Sequence, residues 1–426
     1  MAGQTLTTFD AVLKEYYGAE DFTSLMNDKV RLVSKIESMP KKVWEGRRIR
    51  FPVQTNRNWG GGFSSNDVLA QARNVETVES QVTAAFIRGR IQLSGTVMKA
   101  SRSTLGSFAK VAGVEIEGMN KTLLQIMNRA LWGDGTGKLA EISASNATTF
   151  TCRTTGGSGL NGNAGARHIR RDMLLVLQDG ATVKADTLRV SAVNYTTGVV
   201  TVSAGDPSTA AAGDSVYMLM ASGTSSRNAE IMGIAGINDD GTYVGTLQNI
   251  NRTTYPIWKS NLLGNSGTLR NLSLDLIQQG IDLSDLSNGE EIDGYWCHHS
   301  VRAEAAKLLV ADHYYVDTKD QGKGIKESLA EKDLATTVTY NGKPVIVEKD
   351  CPYYTIFGIP YNKLKLAPLS SWEWADDDGA VLSRVSGNDA FEAYRRWYGN
   401  LYTSDPHGMF VIRDVNATVS TAYTPS

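Results

Sequence analysis

The sequence predicts an α+β fold in which strand-rich and helix-rich regions interleave. Three observations predict it. Apolar and polar positions alternate at 47–54 and 81–93, as strands require. A helical stripe runs from Thr104 to Trp132. A stretch rich in Gly, Thr, Ala and Val, 149–222, separates two helix-bearing regions as an inserted all-β unit would. The 426 residues show no internal repeat.

Taken in order, residues 1–40 read as an arm of two short amphipathic pieces. Phe9, Val12, Leu13, Tyr16 and Tyr17 recur at helical spacing, as do Leu25, Met26, Val30 and Val33. Such an arm either buries its stripes on a surface from elsewhere or is a frayed helical hairpin packed on its own domain. Arg47 to Gln54 forms one strand, and Gln81 to Leu93 a second whose parity changes once, as at a bulge. Between them, Asn58-Trp59-Gly60-Gly61-Gly62 leaves the 56–77 stretch without a core. A lone two-stranded arm is marginal in water, so it should lie against another molecule or domain.

In the helical stripe, Phe108, Val111, Ile116, Met119, Leu123, Ile126, Met127, Ala130 and Leu131 follow spacings of mostly three and four. Gly113 and Gly118 weaken it by about 1 kcal/mol each. The rod, roughly 42 Å if continuous, stops at Gly133-Asp134-Gly135-Thr136-Gly137-Lys138. In the β-rich stretch, Leu188–Tyr195 and Val199–Ser203 flank Thr196-Thr197-Gly198 as a hairpin, and Gly213-Asp214 turns into Val216–Leu219. The unit should be closed or nearly closed, to protect its edges. Beyond it come a turn at Asn238–Gly241 and a helix with Leu269, Leu272, Leu276, Gly280 and Leu283. The strand Tyr295–His298 follows, then a helix capped by Ser300, and a hairpin around Asn341-Gly342. From Cys351 to Val415 the chain is strand-like and aromatic.

Composition excludes several classes. With 43 Lys+Arg against 45 Asp+Glu the net charge is −2, which argues against a large basic face for nucleic acid. Cys152, Cys297 and Cys351 are far apart and form no CxxC, so neither a disulfide framework nor a cysteine zinc site is expected, and a reducing compartment is the natural reading. The start lacks an apolar secretory core, and no run approaches the roughly 18 apolar residues of a membrane span. The expectation is a soluble intracellular product with no membrane association.

Candidate chemistry fails on geometry. In Gly133–Lys138 the spacing before Gly-Lys is one residue short of a Walker loop, Leu139 follows, and the segment closes a helix whose carbonyls repel phosphate. Cys297-His298-His299 alternates faces on a strand, so at most two residues could share a metal. Asp376-Asp377-Asp378-Gly379 lacks a calcium-loop pattern, and Gly156-Gly157-Ser158-Gly159 lacks the final glycine of a nucleophile elbow. No catalytic residue, cofactor or metal is assigned. Arg47, Arg48, Arg50 and Arg57 on one strand and Arg88 and Arg90 on the other remain, either as a solvated face or as an arm carrying charge to an acidic patch on a partner subunit.

Arm, long hairpin, long helix and split mixed domain together resemble the major capsid proteins of tailed bacteriophages, which have the Hong Kong 97-type fold. The segment Leu124-Gln125-Ile126-Met127-Asn128-Arg129-Ala130-Leu131-Trp132-Gly133-Asp134-Gly135-Thr136-Gly137-Lys138 resembles the end of that family's spine helix. Thr197–Val202 with Gly213–Tyr217 is similar to the β insertion of many coat proteins, and Ile231–Tyr243 with Leu247–Pro256 to the stretch after it. The resemblance implies residues 1–40 as N-arm and 41–93 as E-loop hairpin. It implies 94–137 and 370–426 as peripheral P-domain, 138–148 and 223–369 as axial A-domain, and 149–222 as the insertion. It implies inter-subunit contacts through the arginines above, Trp59, Tyr314 and Tyr315, and hinges or turns at Gly60, Gly61, Gly62, Gly133, Gly135 and Gly137.

The function so implied is a coat protein that assembles through pentamers and hexamers into an icosahedral shell around double-stranded DNA, in the virion, after assembly in the host bacterial cytoplasm. Partners would be itself, a separate scaffolding protein, a portal and, as a further candidate, a decoration protein, with non-specific contact to packaged DNA. No long coiled-coil scaffolding segment precedes the arm, and no self-crosslinking Lys–Asn pair is carried over. The alternatives are an encapsulin-like nanocompartment shell, disfavoured by the β insertion, and a β-rich carbohydrate-binding or hydrolytic protein. The last would need an aromatic-lined pocket with paired carboxylates, and a hairpin folded back onto its own domain would overturn the capsid reading.

Overall fold

A computed structural model describes residues 30–39, 44–63, 71–95, 105–154, 160–161, 163–221, 224–288, 291–312, 339–377 and 379–417. The arm enters at Val30. Val30 and Val33 lie at a turn, not in the expected helix, and Leu25 and Met26 fall outside the described residues. The reason is local packing: Val30, Leu32, Val33 and Ile36 are buried in the chain's own main core, and Arg31 Nη1 donates to the Val347 carbonyl at 3.1 Å. Strand β1, Glu37–Ser38, then adds in parallel to the later strand Leu364–Trp374. This last part of the arm needs no neighbour.

Strand β2, Arg48–Asn56, pairs antiparallel with β3, Glu76–Thr83, from Arg48 opposite Thr83 to Asn56 opposite Glu76. The expected single strand over 81–93 is two strands. Ala84 breaks it, and β4, Ala85–Ser94, leaves the hairpin to pair with Ala390–Thr403. The parity change in the sequence is thus a change of sheet. Helix α1, Leu105–Leu131, has the expected extent. At its exit Gly135 and Gly137 take φ of +79° and +76°, while Gly133 does not enter the left-handed region. A side chain at Gly137 would stand 2.6 Å from the Ser226 carbonyl oxygen, so both backbone sign and space demand glycine there.

The barrel follows: β5 Ala140–Ser145, β6 Thr149–Cys152, β7 Leu174–Asp179, β8 Thr182–Asn194, β9 Val199–Ala204 and β10 Ser215–Ala221. The order β10-β5-β6-β9-β8-β7 closes because β10 also pairs with β7, from Ser215 opposite Gln178 to Met218 opposite Leu175. Closure removes the sheet edges. The barrel takes in residues 140–145, which lie outside the expected 149–222, and has its own core around Ile142, Phe150, Leu175, Leu188, Val200 and Val216.

Beyond β11 (Thr224–Ser225), the short pair β12 (Thr246–Leu247) and β13 (Ile250–Asn251), and β14 (Asn261–Leu263), helix α2 spans Leu274–Asn288. Leu269 lies ahead of it and is exposed; the helix begins where Ser273 Oγ accepts the Leu276 N–H. Strand β15 is Gly294–Cys297 and helix α3 His299–Asp312. Ser300 is therefore inside α3 rather than its cap. His298 takes that place, its Nδ1 accepting the Ser300 N–H at 3.3 Å and its carbonyl accepting the Val301 N–H at 3.1 Å. Strands β16 (Thr339–Tyr340) and β17 (Lys343–Val347) form the Asn341-Gly342 hairpin, with φ of +50° and +75° at its two central residues.

Strands β18 (Ile356–Ile359), β19 (Leu364–Trp374), β20 (Ser383–Arg384), β21 (Ala390–Thr403) and β22 (Phe410–Ile412) complete the chain. One sheet runs β1-β19-β21-β20 with β4 on β21, covered by α1; the other runs β14-β22-β18-β15-β17-β16. Within 370–426, β22 returns to the second sheet, between β14 and β18. Gly358 allows this: a Cβ there would stand 2.1 Å from the Phe410 ring.

Candidate self-association surface

Alternation along β2 and β3 turns Ile49, Phe51 and Val53, with Val78, Ser80 and Val82, toward the body. Their burial fades outward. Ile49 and Val82 are buried with Ala367 and Tyr402, and Phe51 packs against Tyr402 at a centroid separation of 5.6 Å. Ser80 Oγ donates to Gln248 Oε1 at 3.0 Å, and the Gln81 N–H donates to the Gln248 carbonyl at 2.9 Å. Val53 and Val78 are only partly buried. Further out Trp59 is 73% exposed, and Val75 and Phe63 are exposed as well. Between β2 and the body lies an open cleft of about 750 Å³ that Ile257, Ser287, Lys363 and Asp405 face. The base of the hairpin is therefore anchored on its own chain and the outer part is not.

The arginines divide. Arg47, Arg48, Arg50 and Arg57 are exposed along the first strand, and Arg50 meets Glu79 across the hairpin at 3.3 Å, an exposed pair of small net worth. Arg88 and Arg90 are not on the hairpin; they lie on β4, in the larger sheet. There Arg90 pairs with Glu392, and Arg88 Nε donates to Tyr398 Oη at 3.4 Å while lying over Phe86. Arg47 reaches the same Phe86 ring at 4.9 Å. Arg396 bridges Glu373 at 2.8 Å and Asp377 at 2.6 Å, and this pairing holds the Asp377 carboxyl below its ordinary range. Charge at the surface of this sheet is thus largely tied up within the chain, whereas on the hairpin the arginine side chains are exposed.

Of the glycines, Gly61 and Gly62 have open space around them. A side chain at Gly60 would meet the Asn58 side chain at 2.8 Å. Tyr314 and Tyr315 lie outside the described residues.

Elsewhere the chemistry is buried. Burial pushes the thiols of Cys152 and Cys297 up to about 12, so neither is a thiolate near neutrality. Among the described residues no group of three or more His, Cys, Asp or Glu is placed to hold a metal ion, and no helix is long and apolar enough to cross a membrane. A cavity of about 350 Å³ between α1 and the barrel has one carboxylate on its wall, Asp172. Two carboxylates do approach each other at Glu348 and Asp350, bridged by Asn128 Nδ2 at 3.0 and 2.5 Å, but they close an internal junction rather than line an aromatic pocket. Sequence reasoning missed this cluster because Asn128 lies far along the chain from Glu348 and Asp350.

No protein-family model matches the chain, and none of the curated proteins does. Among solved structures, the chain is similar to the capsid of cyanophage A-1(L), at 13% identity over 89% of this chain and 90% of that chain, with a TM-score of 0.53. It is also similar to the capsid of a native GTA particle, at 9% identity over 91% of each chain and a TM-score of 0.46. A third is the capsid of Myoviridae phage XM1, at 9% identity over 91% of this chain and 92% of that one, with a TM-score of 0.42. At such identities the likeness is one of fold, and the cyanophage capsid carries it: the chain has an α+β capsid fold, as the resemblance in its sequence implies.

Proposed function

We propose that the chain is the major capsid protein of a tailed bacteriophage, assembling through pentamers and hexamers into an icosahedral shell around double-stranded DNA. The observation that carries this reading is the hairpin β2–β3 on a capsid fold. Its apolar face is anchored at Ile49 and Val82 and then runs out to an exposed Trp59 over an open cleft. An extended element with paired strands but no core beyond its base gains stability by lying across a neighbour. Repeated head to tail, such contacts close into rings and tile a shell.

The domain reading follows the sheets. The sheet of β4, β19 and β21 with α1 is the peripheral domain, the six-stranded sheet is the axial domain, and the barrel is the insertion. The presence of that barrel favours a phage coat over an encapsulin-like shell, and the role is structural rather than enzymatic. Partners on this reading are further copies of the chain, a separate scaffolding protein, a portal and a decoration protein; the setting is the virion, after assembly in the host cytoplasm. Near-neutral charge (net −2) suits an inner surface that meets packed DNA without holding it tightly.

Electron microscopy of the expressed chain, alone and with phage-encoded neighbours, tests the proposal. Closed shells or rings of five and six are expected. Exclusively monomeric particles under all these conditions would overturn it.

A further inference from the structure

Helix α1, the barrel and the six-stranded sheet meet at one buried polar cluster that the proposed self-association surface does not use. Arg167 and His168 come from the barrel, His298 from the end of β15, Glu348 from the turn after β17 and Asn128 from α1, and all five are buried. Both histidines have one ring nitrogen already occupied by a donor. Arg167 Nε donates to His168 Nε2 at 3.0 Å. A guanidinium can only donate, so that nitrogen carries no proton. The Ser300 N–H donates to His298 Nδ1 at 3.3 Å, with the Ser300 hydroxyl 3.0 Å from the same nitrogen, so the neutral ring accepts from Ser300 there. Tyr353 links the two: its ring stands edge-on to His298, with centroids 4.6 Å apart, and under the Arg167 guanidinium at 4.2 Å. Arg167 Nη1 also donates to the Cys351 carbonyl at 2.9 Å, tying the barrel to the sheet.

We propose that this cluster is a histidine latch: protonation of His168 and His298 displaces Arg167 and the Ser300 N–H from them, releasing the barrel and the start of α3 from the six-stranded sheet. The surroundings set the direction. Burial, then Arg167, Arg129, Arg170 and His298, hold His168 well below the ordinary histidine value. Asp350 Oδ1, 3.8 Å from His168 Nδ1, is the opposing charge. Burial, with Arg167 and His299, lowers His298 to about 3; His299 itself is lowered by burial and by Arg302 and Arg31.

Once opened and hydrated, each imidazole returns to its ordinary value of about 6.5. The closed junction is therefore undisturbed above that pH and loosens as pH falls below it, toward about 3 for His298. Glu348 works the other way. Burial and Asp350 raise its pKa against the Asn128 hydrogen bond, so its protonation favours closure. Each titrating group is worth up to about tenfold per pH unit. Each histidine that takes up its proton only in the open state favours opening by about eightfold between pH 7 and 5.5, and Glu348 offsets part of the pair's combined effect.

Amide hydrogen exchange of the purified full chain, in whatever assembly state it adopts, tests the latch at pH 7 and 5.5 after correction for intrinsic exchange. Segments 164–175 and 295–308 are expected to open severalfold more at the lower pH, with barrel strands 199–221 unchanged. In a His168→Gln, His298→Asn variant the amide oxygens can accept the same N–H bonds without titrating, and the acid response should disappear. Equal acceleration in 199–221, or an acid response retained in the variant, would overturn the latch. Should the variant not fold, the onset in the parent decides: loosening that begins near pH 6.5 supports it, and loosening only below pH 5, where carboxylates protonate, overturns it. None of these outcomes depends on shell formation.

Discussion

Arg252 is fully enclosed, and its guanidinium reaches the carbonyl oxygens of Gly236, Val244 and Trp258 at 3.1 Å each and that of Ile237 at 2.5 Å. Burial lowers its pKa only to about 10, with Asp239 and Asp240 opposing the shift, so the charge persists at neutral pH. Arg252→Met would leave those carbonyls without a donor and Asp239 with Arg413 as its remaining cation. The expected loss is about 3–5 kcal/mol in a denaturant titration; a loss under about 1 kcal/mol would show that the loop re-satisfies itself. The sequence does announce the turn at Asn238–Gly241, and Asp239 Oδ2 accepts the Gly241, Tyr243 and Val244 N–H groups at 3.0, 3.0 and 2.9 Å. It gives no sign of the arginine inside it, since arginine is a surface residue by default. His298 is a similar case: strand end and helix start are readable, but which atom caps the helix is a matter of a single hydrogen bond.

Elements carried by one period were legible. Helix α1 spans Leu105–Leu131 against an expected 104–132, and the Asn341-Gly342 turn lies where its dipeptide places it. The hairpin was legible as strands but not in its attachment. Val82→Ala, at the anchored base, should cost about 2 kcal/mol of folding stability. Trp59→Ala should leave the folding stability of the unassembled chain unchanged within about 0.5 kcal/mol in a denaturant titration while lowering shell yield in electron micrographs. Equal effects of the two on folding would show that the outer hairpin is held by its own body. The split of 81–93 at Ala84 was visible only as a change of parity, because alternation reports which face a residue takes and not which strand lies beside it.

At the scale of the whole molecule, the barrel has a separate apolar core and no open path between its first and last strands. Residues 138–226, produced alone, should therefore unfold in one cooperative transition by circular dichroism; a non-cooperative melt would show that closure depends on the Arg167 and His168 junction. The sequence by itself determined the α+β class, the long helix, the β-rich character of the stretch after it and the turns, since each follows from spacing or turn chemistry within a few residues. Only the tertiary structure decided that β10 pairs with β7, that β22 returns to lie between β14 and β18, and that Asn128, Arg167, His168, His298 and Glu348 converge. Partners of this kind lie far apart along the chain. Their meeting depends on complementary shape and hydrogen bonding once the intervening loops have closed, and no local periodicity encodes that.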